Sequence, residues 1–335
     1  MKRLLFFIIG FALAVSAAAQ APANYYNAAN GLTGDQLKLA LHNIIKGHTA
    51  ISYSETANAF WSTDNKGNGV VWDMYSDRPG GTPPYVYYLG QDQCGNYSGE
   101  GDCYNREHSW PQSWFNNQTT PRCDLHHIFP TDGFVNGKRS NYAFGEVGSA
   151  TWTSRNGSKL GSSKTAGFNG TVFEPIDEYK GDFARAIMYM SVRYYQEDSG
   201  WDNSDMTTKS VIKPWAIAML LRWNDEDPVS QKEINRNNVI YRDFQHNRNP
   251  FVDHPEYARM IWDSHWSADE YDATEELHAD RVVVFDLSGR KLLEKRIINE
   301  ESELLEIKEQ LRHGCYILQL FNGNRVIKHQ KLLVN

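Results

Sequence analysis

Three short motifs within residues 105–142 hold the densest cluster of ionisable and metal-competent side chains in the chain. They read NREHSWP at 105–111, CDLHHIFP at 123–130 and TDGFVNGKRSNY at 131–142. Each of the first two motifs ends in proline, so we predict two short strands joined by a polar loop over 112–122. The third motif predicts a short helix capped by Thr131 or Asp132. A strand–loop–strand–helix unit of this kind can bring together a histidine, a carboxylate and an amide.

The side chains of this unit match the requirements of phosphodiester cleavage. That reaction needs an activated water and positive charge at the phosphate group, because negative charge builds up in the transition state. His108 suits proton abstraction, since an unperturbed histidine has a pKa of about 6.5. Mg²⁺ prefers oxygen ligands and keeps several waters, so one carboxylate and one amide oxygen are enough to hold it. Glu107 and Asn136 supply those two oxygens.

Together the motifs resemble the endonuclease I family, whose members are secreted or periplasmic non-specific nucleases with a ββα-metal (His-Me finger) active site. The resemblance covers roughly residues 30–265. It implies His108 as the general base, and Glu107 and Asn136 as ligands of a single Mg²⁺, Mn²⁺ or Ca²⁺ ion. It also implies 5′-phosphate products. Because no base-reading motif is visible, we expect backbone-dominated binding of DNA, with RNA as a further substrate.

The resemblance further implies an arginine near the scissile phosphate, supplied by the loop between the two strands. Arg122 is the only arginine of residues 112–122, and we assign it this catalytic role, with Arg106 and Arg139 as alternatives. Four side chains are expected beside the metal site or against the substrate: Asp124, His127, Arg139 and Asn141. Asn141 is also an alternative to Asn136 as the amide ligand.

Strand geometry restricts how these side chains can be arranged. Adjacent residues of a regular strand point to opposite faces, so Glu107 and His108 cannot both face the phosphate unless the strand ends or bulges there. Pro111 is consistent with an early end. The same rule disfavours a zinc site on the neighbours His126 and His127. Of these two, we predict that His127 lies nearer the metal.

The composition is that of a globular chain and excludes some classes of function. Hydrophobic residues make up 41% of the 335 positions and charged residues 22%, which fits neither a disordered nor a fibrous protein. The length favours one large and one small domain. A formal net charge of −7 argues against a histone-like, charge-driven nucleic-acid binder. An enzyme with a bound metal ion and a local basic face remains compatible with that charge.

We divide the chain into four segments and expect an α+β fold. Residues 1–19 have the basic start, apolar run and small residues of a secretory signal peptide, and the run is too short to favour a membrane span. Residues 20–272 form the endonuclease I-like domain, a mostly helical body around the hairpin–helix site. Residues 273–281 form a polar linker, and 282–335 a small β-sandwich-like domain.

Helical periodicity is confined to the two ends of the body. Five helices are predicted: one over Leu37–Ile45 with a cap at Thr33, one near 182–197, one over 214–223, one near 230–245 behind the capping box Ser230 and Glu233, and one from Pro255. Residues 50–180 lack this periodicity, so functional loops are expected there. Cys94 and Cys103 are spaced to close a short loop in an oxidising compartment, with unpaired thiols as the alternative.

The tail resembles the C-terminal sorting domain of type IX secretion substrates of Bacteroidetes. The matching pieces read VFDLSGR at 284–290, GCYI at 314–317 and KLLV at 331–334. The resemblance implies export through the outer membrane by the type IX machinery, to the medium or the cell surface. A generic appended β-domain is the alternative. Turns are predicted at 288–289 and 322–323, where Ser-Gly and Asn-Gly occur.

Substrate-binding surfaces are marked less clearly. The best candidate for a phosphate-tracking face is a basic group in 133–173: Lys138, Arg139, Arg155, Lys159 and Lys164. A solvated basic loop is the alternative. Six tryptophans are expected mostly in the core or in groove walls, with base stacking as the alternative: Trp61, Trp72, Trp152, Trp201, Trp215 and Trp223.

Two other functions fit parts of the sequence. A secreted zinc hydrolase would use His126, His127 and His254, although no His-Glu-x-x-His spacing is present. A non-enzymatic surface-binding module would use the aromatic residues as a sugar- or peptide-binding wall. We expect a monomer without a membrane span.

Overall fold

The computed structural model describes residues 21–263, 281–286, 291–296, 306–308, 310–311, 314–322 and 325–334. The chain divides into two compact units, Met1–Ser264 and His265–Asn335. The predicted signal peptide, 1–19, lies outside the described residues, and so do residues 273–280 of the predicted linker.

Helices form most of the frame of the first unit. They are α1 Gly34–Ile45, α2 Tyr53–Thr63, α3 Thr119–Arg122, α4 Gly133–Arg139, α5 Lys180–Arg193, α6 Pro214–Glu226, α7 Gln231–Val239, α8 Pro250–Asp253 and α9 Tyr257–Trp262. The apolar stripe predicted for α1 is confirmed, because Leu37, Leu41 and Ile45 are buried. The helix predicted near 182–197 is α5, which is buried along most of its length and ends earlier than expected.

Capping boxes mark two of these helices. The predicted box at Ser230 and Glu233 is confirmed at the start of α7, and the chain continues from α7 into a π-helical turn over Ile240–Phe244. The same pattern at Ser52 and Glu55 starts α2, a helix that the sequence analysis missed. Both boxes satisfy backbone N–H groups that a helix N-terminus otherwise leaves unpaired.

Within residues 21–263, the strands form three small sheets. They are β1 Tyr104–His108, β2 Ile128–Asp132, β3 Ala143–Phe144, β4 Val147–Thr153, β5 Lys159–Ser163, β6 Thr171–Glu174, β7 Thr207–Thr208 and β8 Val211–Ile212. The largest sheet has the order β3-β6-β5-β4, with β3 parallel to β6. It corrects the expectation of loops in this region. Most of β4 is exposed, so the strand lacks the apolar alternation that would have identified it.

The predicted order of strand, connection, strand and helix is present, with two corrections. The predicted loop over 112–122 contains the short helix α3, and the second strand begins only at Ile128, after a 3₁₀ turn over Leu125–His127. β1 and β2 are antiparallel, with Glu107 opposite Phe129 and His108 opposite Ile128. Pro130 lies inside β2 rather than ending it, which is tolerated because β2 is an edge strand of a two-stranded sheet. Of the two predicted caps of α4, Asp132 is the one used, since its Oδ1 accepts a hydrogen bond from the N–H of Val135 at 2.8 Å.

A buried carboxylate ties this unit to the helical frame. Asp124 lies just before β2, and its Oδ2 accepts hydrogen bonds from the hydroxyls of Tyr189 and Tyr194 at 2.9 and 3.1 Å. Its Oδ1 accepts a bond from Nε2 of Gln245 at 3.0 Å. Asp124 therefore links the chain entering β2 to α5 and to the segment after α7.

The second unit contains one antiparallel sheet in its described residues. The strands are β9 Arg281–Asp286, β10 Lys291–Arg296, β11 Gly314–Asn322 and β12 Arg325–Val334, in the order β10-β9-β11-β12. Both predicted hairpin pairings are confirmed, while residues 288, 289 and 323 of the predicted turns lie outside the described residues. A β-sandwich needs a second sheet, which the described residues do not contain, so the sandwich stays a prediction.

Cys94 and Cys103 form a disulfide with Cα atoms 5.8 Å apart, as the sequence allowed. It closes a loop that leads directly into β1. Within the described part of the chain, we find no helix with both the length and the apolar character needed to cross a membrane.

We predict that Asp124→Asn lowers the free energy of unfolding at neutral pH by about 2–4 kcal/mol, because buried hydrogen bonds to a charged group are lost. Burial by itself raises the pKa of Asp124, but three neighbouring histidines and the bond from Gln245 hold that pKa well below its usual range. The ionised carboxylate therefore adds stability above its unfolded pKa of about 3.9, and this stability is lost as the pH falls below that value.

Urea unfolding from about pH 2 to pH 7 tests this prediction. The variant should lose part of the acid-dependent decline in stability. An unchanged stability–pH curve would show that Asp124 does not anchor the hairpin.

Candidate active site

A cleft of about 640 Å³ opens where β1 ends beside α4. Five of the predicted site residues line it: Glu107, His108, Asn136, Arg139 and Asn141. Tyr53, Arg106 and Gln112 also belong to its wall. Arg122, Asp124 and His127 lie outside this lining. These five predicted residues, up to 34 positions apart in the sequence, meet at one cleft because the hairpin and α4 fold together.

Glu107 is a buried carboxylate with one oxygen left without a partner. Its Oε1 accepts a hydrogen bond from the Tyr75 hydroxyl at 3.1 Å and lies 3.1 Å from Nη1 of Arg139. Its Oε2 has no hydrogen-bond partner. Burial raises the pKa of Glu107 to about 7, although Arg139 and Tyr75 act in the opposite direction. A cation at Oε2 would satisfy the unpaired oxygen and favour the ionised carboxylate.

Asn136 offers an amide oxygen at the same cleft. Its Nδ2 donates hydrogen bonds to Oδ1 of Asn105 at 2.7 Å and to the carbonyl oxygen of Arg106 at 3.2 Å. These two bonds orient the amide, and within the described residues its Oδ1 has no hydrogen-bond partner. Asn141, the alternative ligand, is exposed and donates only a long bond of 3.5 Å to Ser113. The geometry therefore favours Asn136 as the oriented amide.

These two residues fit a hard divalent cation better than zinc. One unpartnered carboxylate oxygen and one free amide oxygen leave the remaining positions to water, as Mg²⁺ prefers. Over the described ranges, no group of three His, Cys, Asp or Glu side chains is placed to hold a metal ion. Two of the histidines named by the zinc alternative have other partners, because Nε2 of His126 lies 3.2 Å from the carbonyl oxygen of Asn247 and Nδ1 of His254 lies 2.9 Å from Oε1 of Glu256.

The hydrogen bonds of His108 identify the nitrogen that can accept a proton. Its Nε2 lies 3.0 Å from the carbonyl oxygen of Arg122. A carbonyl only accepts, so Nε2 carries the hydrogen and Nδ1 keeps its lone pair. Nε2 of Gln112 is 3.4 Å from that Nδ1. Burial, aided by His127, lowers the pKa of His108 to about 3, so the ring is neutral at physiological pH.

The strand-face conflict between Glu107 and His108 is resolved at the end of β1. The two side chains do have different neighbours, since Glu107 contacts Tyr75 and Arg139 whereas His108 faces Arg122 and Gln112. Both side chains nevertheless line the cleft, because β1 ends at His108 and the cleft opens at that end of the strand.

His126 and His127 point in different directions, although they lie in a 3₁₀ turn over Leu125–His127 and not in the strand on which the prediction was based. The ring centre of His127 is 5.4 Å from that of His108, and its Nε2 bonds to the carbonyl of Pro121 at 2.7 Å. The ring of His126 packs against Tyr189 instead. Burial lowers the pKa of both histidines to about 4, so each is neutral. His127 is therefore the one that supports the His108 side of the cleft.

Arg139 is used inside the protein. Its side chain is 1% exposed, and its Nη1 and Nη2 donate hydrogen bonds to the carbonyls of His108 and Ser109 at 2.9 and 2.6 Å. The same guanidinium pairs with Glu107. This geometry favours Arg106 or Arg122 over Arg139 for contact with a phosphate group.

Arg106 and Arg122 lie over the ring of Tyr53. Their guanidinium carbons are 3.7 and 4.0 Å from the ring centre. Nε of Arg122 donates to Oε1 of Gln112 at 2.8 Å, so one glutamine connects this arginine to His108. Both candidate arginines therefore contact Tyr53, and Arg122 is also linked to His108 through Gln112.

The predicted basic face is not continuous. Arg139 is buried, Lys159 lies 4.0 Å from Glu174, and Lys138 lies over the ring of Phe134. Lys164 and Arg155 are exposed. The tryptophans divide in a similar way: Trp201 and Trp223 are buried as predicted, Trp72, Trp152 and Trp215 are half-buried, and Trp61 is 50% exposed.

Comparison with known proteins identifies the family of the chain. The model of the endonuclease I family matches residues 33–256, most of the first unit. The chain belongs to the endonuclease I family. An extracellular ribonuclease of Bacillus subtilis (strain 168) is 38% identical over 249 residues, which are 71% of this chain and 78% of that relative. An extracellular ribonuclease of Bacillus amyloliquefaciens is 39% identical over 248 residues, with the same coverage of both chains.

A third relative is more distant. Endonuclease-1 of Buchnera aphidicola subsp. Baizongia pistaciae (strain Bp) is 31% identical over 129 residues, which are 38% of this chain and 45% of the relative. The family match stops before the second unit of the chain.

Three residues at or beside the cleft were not predicted from the sequence: Tyr53 and Gln112, which line it, and Tyr75, which donates a hydrogen bond to Glu107. Tyr75 and Tyr53 precede β1 by tens of residues, and no motif marks them. Gln112 follows Pro111 directly, so its place at the end of β1 was the only available signal. Their roles depend on contacts made after folding.

We predict that Arg139→Leu destabilises this endonuclease I protein by about 3–5 kcal/mol, because the carboxylate of Glu107 and two carbonyls lose their buried partner. Glu107→Gln removes the buried charge, so the double variant should be less destabilised than the sum of the two single variants. Urea unfolding of the wild type, the two single variants and the double variant measures the coupling free energy between residues 107 and 139. Additive effects would show that the pair does not act as a unit.

Proposed function

We propose that the chain is a secreted, divalent-metal-dependent, sequence-non-specific endonuclease that hydrolyses phosphodiester bonds of DNA and RNA to 5′-phosphate products. The observation that carries this proposal is the meeting of three atoms at one cleft. Oε2 of Glu107 and Oδ1 of Asn136 have no hydrogen-bond partner within the described residues, and Nδ1 of His108 has only a long contact of 3.4 Å with Nε2 of Gln112. Family membership and the extracellular nucleases among the relatives support the class of enzyme.

His108 is the general base of the proposed mechanism. Its Nδ1 removes a proton from the water that attacks phosphorus in line with the leaving 3′ oxygen. The bond from Nε2 to the Arg122 carbonyl fixes the tautomer in which Nδ1 can do this. The low pKa of about 3 keeps the ring unprotonated, and an anionic phosphate in the cleft would raise that pKa towards a more basic value.

Glu107 and Asn136 would hold the single metal ion, Mg²⁺ or another divalent cation. When bound, such an ion supplies positive charge for the phosphate and the leaving oxygen. The protein orients both ligands beforehand, through Arg139 and Tyr75 for the carboxylate and through Asn105 for the amide. Arg122 is the arginine that we assign to the non-bridging oxygens of the phosphate.

The relatives bear on substrate and location. Two of them are named extracellular ribonucleases and one endonuclease-1, which supports nuclease activity, RNA as a substrate and secretion. DNA as a substrate rests on the resemblance of the motifs. We propose export by the signal peptide at 1–19. We also propose that the second unit is a type IX sorting domain, on the strength of its motifs and its hairpins.

We predict that His108→Ala lowers kcat by at least about 10²-fold, because the water loses its base, while the fold stays intact. Degradation of a plasmid and of a structured RNA, each with and without EDTA, measures the effect. His254→Ala is the matched control and should cleave like the wild type. The zinc-hydrolase alternative requires the opposite result for His254, and a binding module requires an intact function in both variants.

We further predict that Glu107→Gln abolishes binding of Mn²⁺, because the amide is neutral and a weaker ligand than a carboxylate. Calorimetric titration of the full chain with Mn²⁺ measures this directly, without any nuclease assay. The exposed Glu226→Gln removes the same charge from the surface and should bind the ion as the wild type does. Equal affinity in both variants would place the metal elsewhere.

A further inference from the structure

Two guanidinium groups share one aromatic ring at the edge of the cleft. The guanidinium carbon of Arg106 is 3.7 Å from the centre of the Tyr53 ring, and that of Arg122 is 4.0 Å from it. Nη1 of Arg106 also donates to the carbonyl oxygen of Tyr53 at 2.6 Å and to Oγ1 of Thr56 at 3.3 Å. Attraction of a cation to an aromatic face helps to hold both groups there.

These two arginines differ from the other buried and half-buried arginines of residues 21–263 because they form no ion pair with a carboxylate. Every other buried or half-buried arginine of residues 21–263 forms an ion pair with a carboxylate: Arg139, Arg185, Arg193, Arg236, Arg248 and Arg259. Within the described residues, neither Arg106 nor Arg122 has such a partner. Two adjacent positive charges repel each other, so their arrangement favours binding of an anion from outside the chain.

The unpaired nitrogens are suited to a phosphate. Nη2 and Nε of Arg106 and both Nη atoms of Arg122 have no hydrogen-bond partner in the described part of the chain. Guanidinium groups bind phosphate oxygens in pairs, with a planar geometry that lysine cannot match. Arg106 lines the cleft and directly precedes Glu107 and His108 in β1, so its charge lies beside the proposed reaction centre.

We propose that Arg106 and Arg122 bind the scissile phosphate together as a two-arginine clamp, and that Tyr53 is the positioning residue that holds them. Tyr53 orients the clamp relative to the base, because its ring lies stacked at 24° to the ring of His108, with the centres 6.1 Å apart. Gln112 makes a second connection, from Nε of Arg122 to His108. Tyr53 is the first residue of α2, so the helix sets the position of its ring.

This inference rests on the proposed nuclease function and deepens it, and the experiment separates the two. The full chain is assayed with Mg²⁺ on a labelled single-stranded oligonucleotide, giving kcat and KM. Binding of the same oligonucleotide is also measured in EDTA at several salt concentrations. The variants are Tyr53→Phe, Tyr53→Leu, Arg106→Gln and Arg122→Gln. The controls are Tyr88→Leu, at an exposed tyrosine, and Arg242→Gln, at an exposed arginine paired with Asp243.

The clamp predicts a specific pattern. Tyr53→Leu should lower kcat by about 10²-fold through loss of alignment, with a smaller change in KM, whereas Tyr53→Phe keeps the ring and should retain activity. Each arginine variant should reduce the slope of log affinity against log salt by about 1. Tyr53→Leu should also reduce that slope although it removes no charge, which a purely structural role of the ring would not produce. The controls should match the wild type.

Other outcomes overturn the clamp. Full activity of Tyr53→Leu, or equal losses in the Phe and Leu variants, would show that the ring is not the platform. If Tyr53→Leu does not fold, the arginine variants decide, since a salt-slope change for only one of them excludes a two-arginine clamp. A wild type that cleaves nucleic acid while the variants behave normally refutes only the clamp. A wild type that neither cleaves nor binds nucleic acid refutes the proposed function as well.

Discussion

The buried ion pair between Arg139 and Glu107 determines the geometry of the cleft. One guanidinium from α4 contacts the carboxylate of β1 and the carbonyls of His108 and Ser109, and both side chains are 1% exposed. Removing two charges from water costs about as much as their attraction returns, so such a pair adds little to stability by itself. Its contribution is to fix the position of α4 relative to the end of β1. Other packings of α4 against the end of β1 would leave buried polar groups unpaired.

This constraint divides the cleft into two electrostatic halves. On one side, Arg139 pairs with Oε1 of Glu107, which leaves Oε2 and the amide oxygen of Asn136 at the same cleft as the oxygens proposed to hold a cation. On the other side, Arg106 and Arg122 carry positive charge that no carboxylate of the described residues balances. An acidic protein can therefore offer local sites for both a cation and a phosphate, without a broad basic surface.

Local sequence signals predicted the elements whose formation is itself local. The capping box at Ser230 marked the start of α7, and an apolar stripe marked α1, because both depend on residues three or four positions apart. The sheet of β3–β6 escaped prediction, since its exposed strand β4 has no apolar alternation and its pairing depends on distant residues. Gly161 illustrates this, because a Cβ there would lie 2.1 Å from the Ser149 carbonyl of the neighbouring strand.

The sequence by itself determined the residue types and order of the reactive motifs, and hence the family, the hairpin–helix unit and the set of candidate residues. It could not determine which of them face one another. In the folded chain, Arg139 is buried in an ion pair with Glu107. Arg106 and Arg122 have no carboxylate partner in the described residues, and both contact the ring of Tyr53 from α2. The physical reason is that burial, hydrogen bonding and charge balance depend on neighbours in space, and the neighbours of β1 come from segments that sequence spacing does not relate.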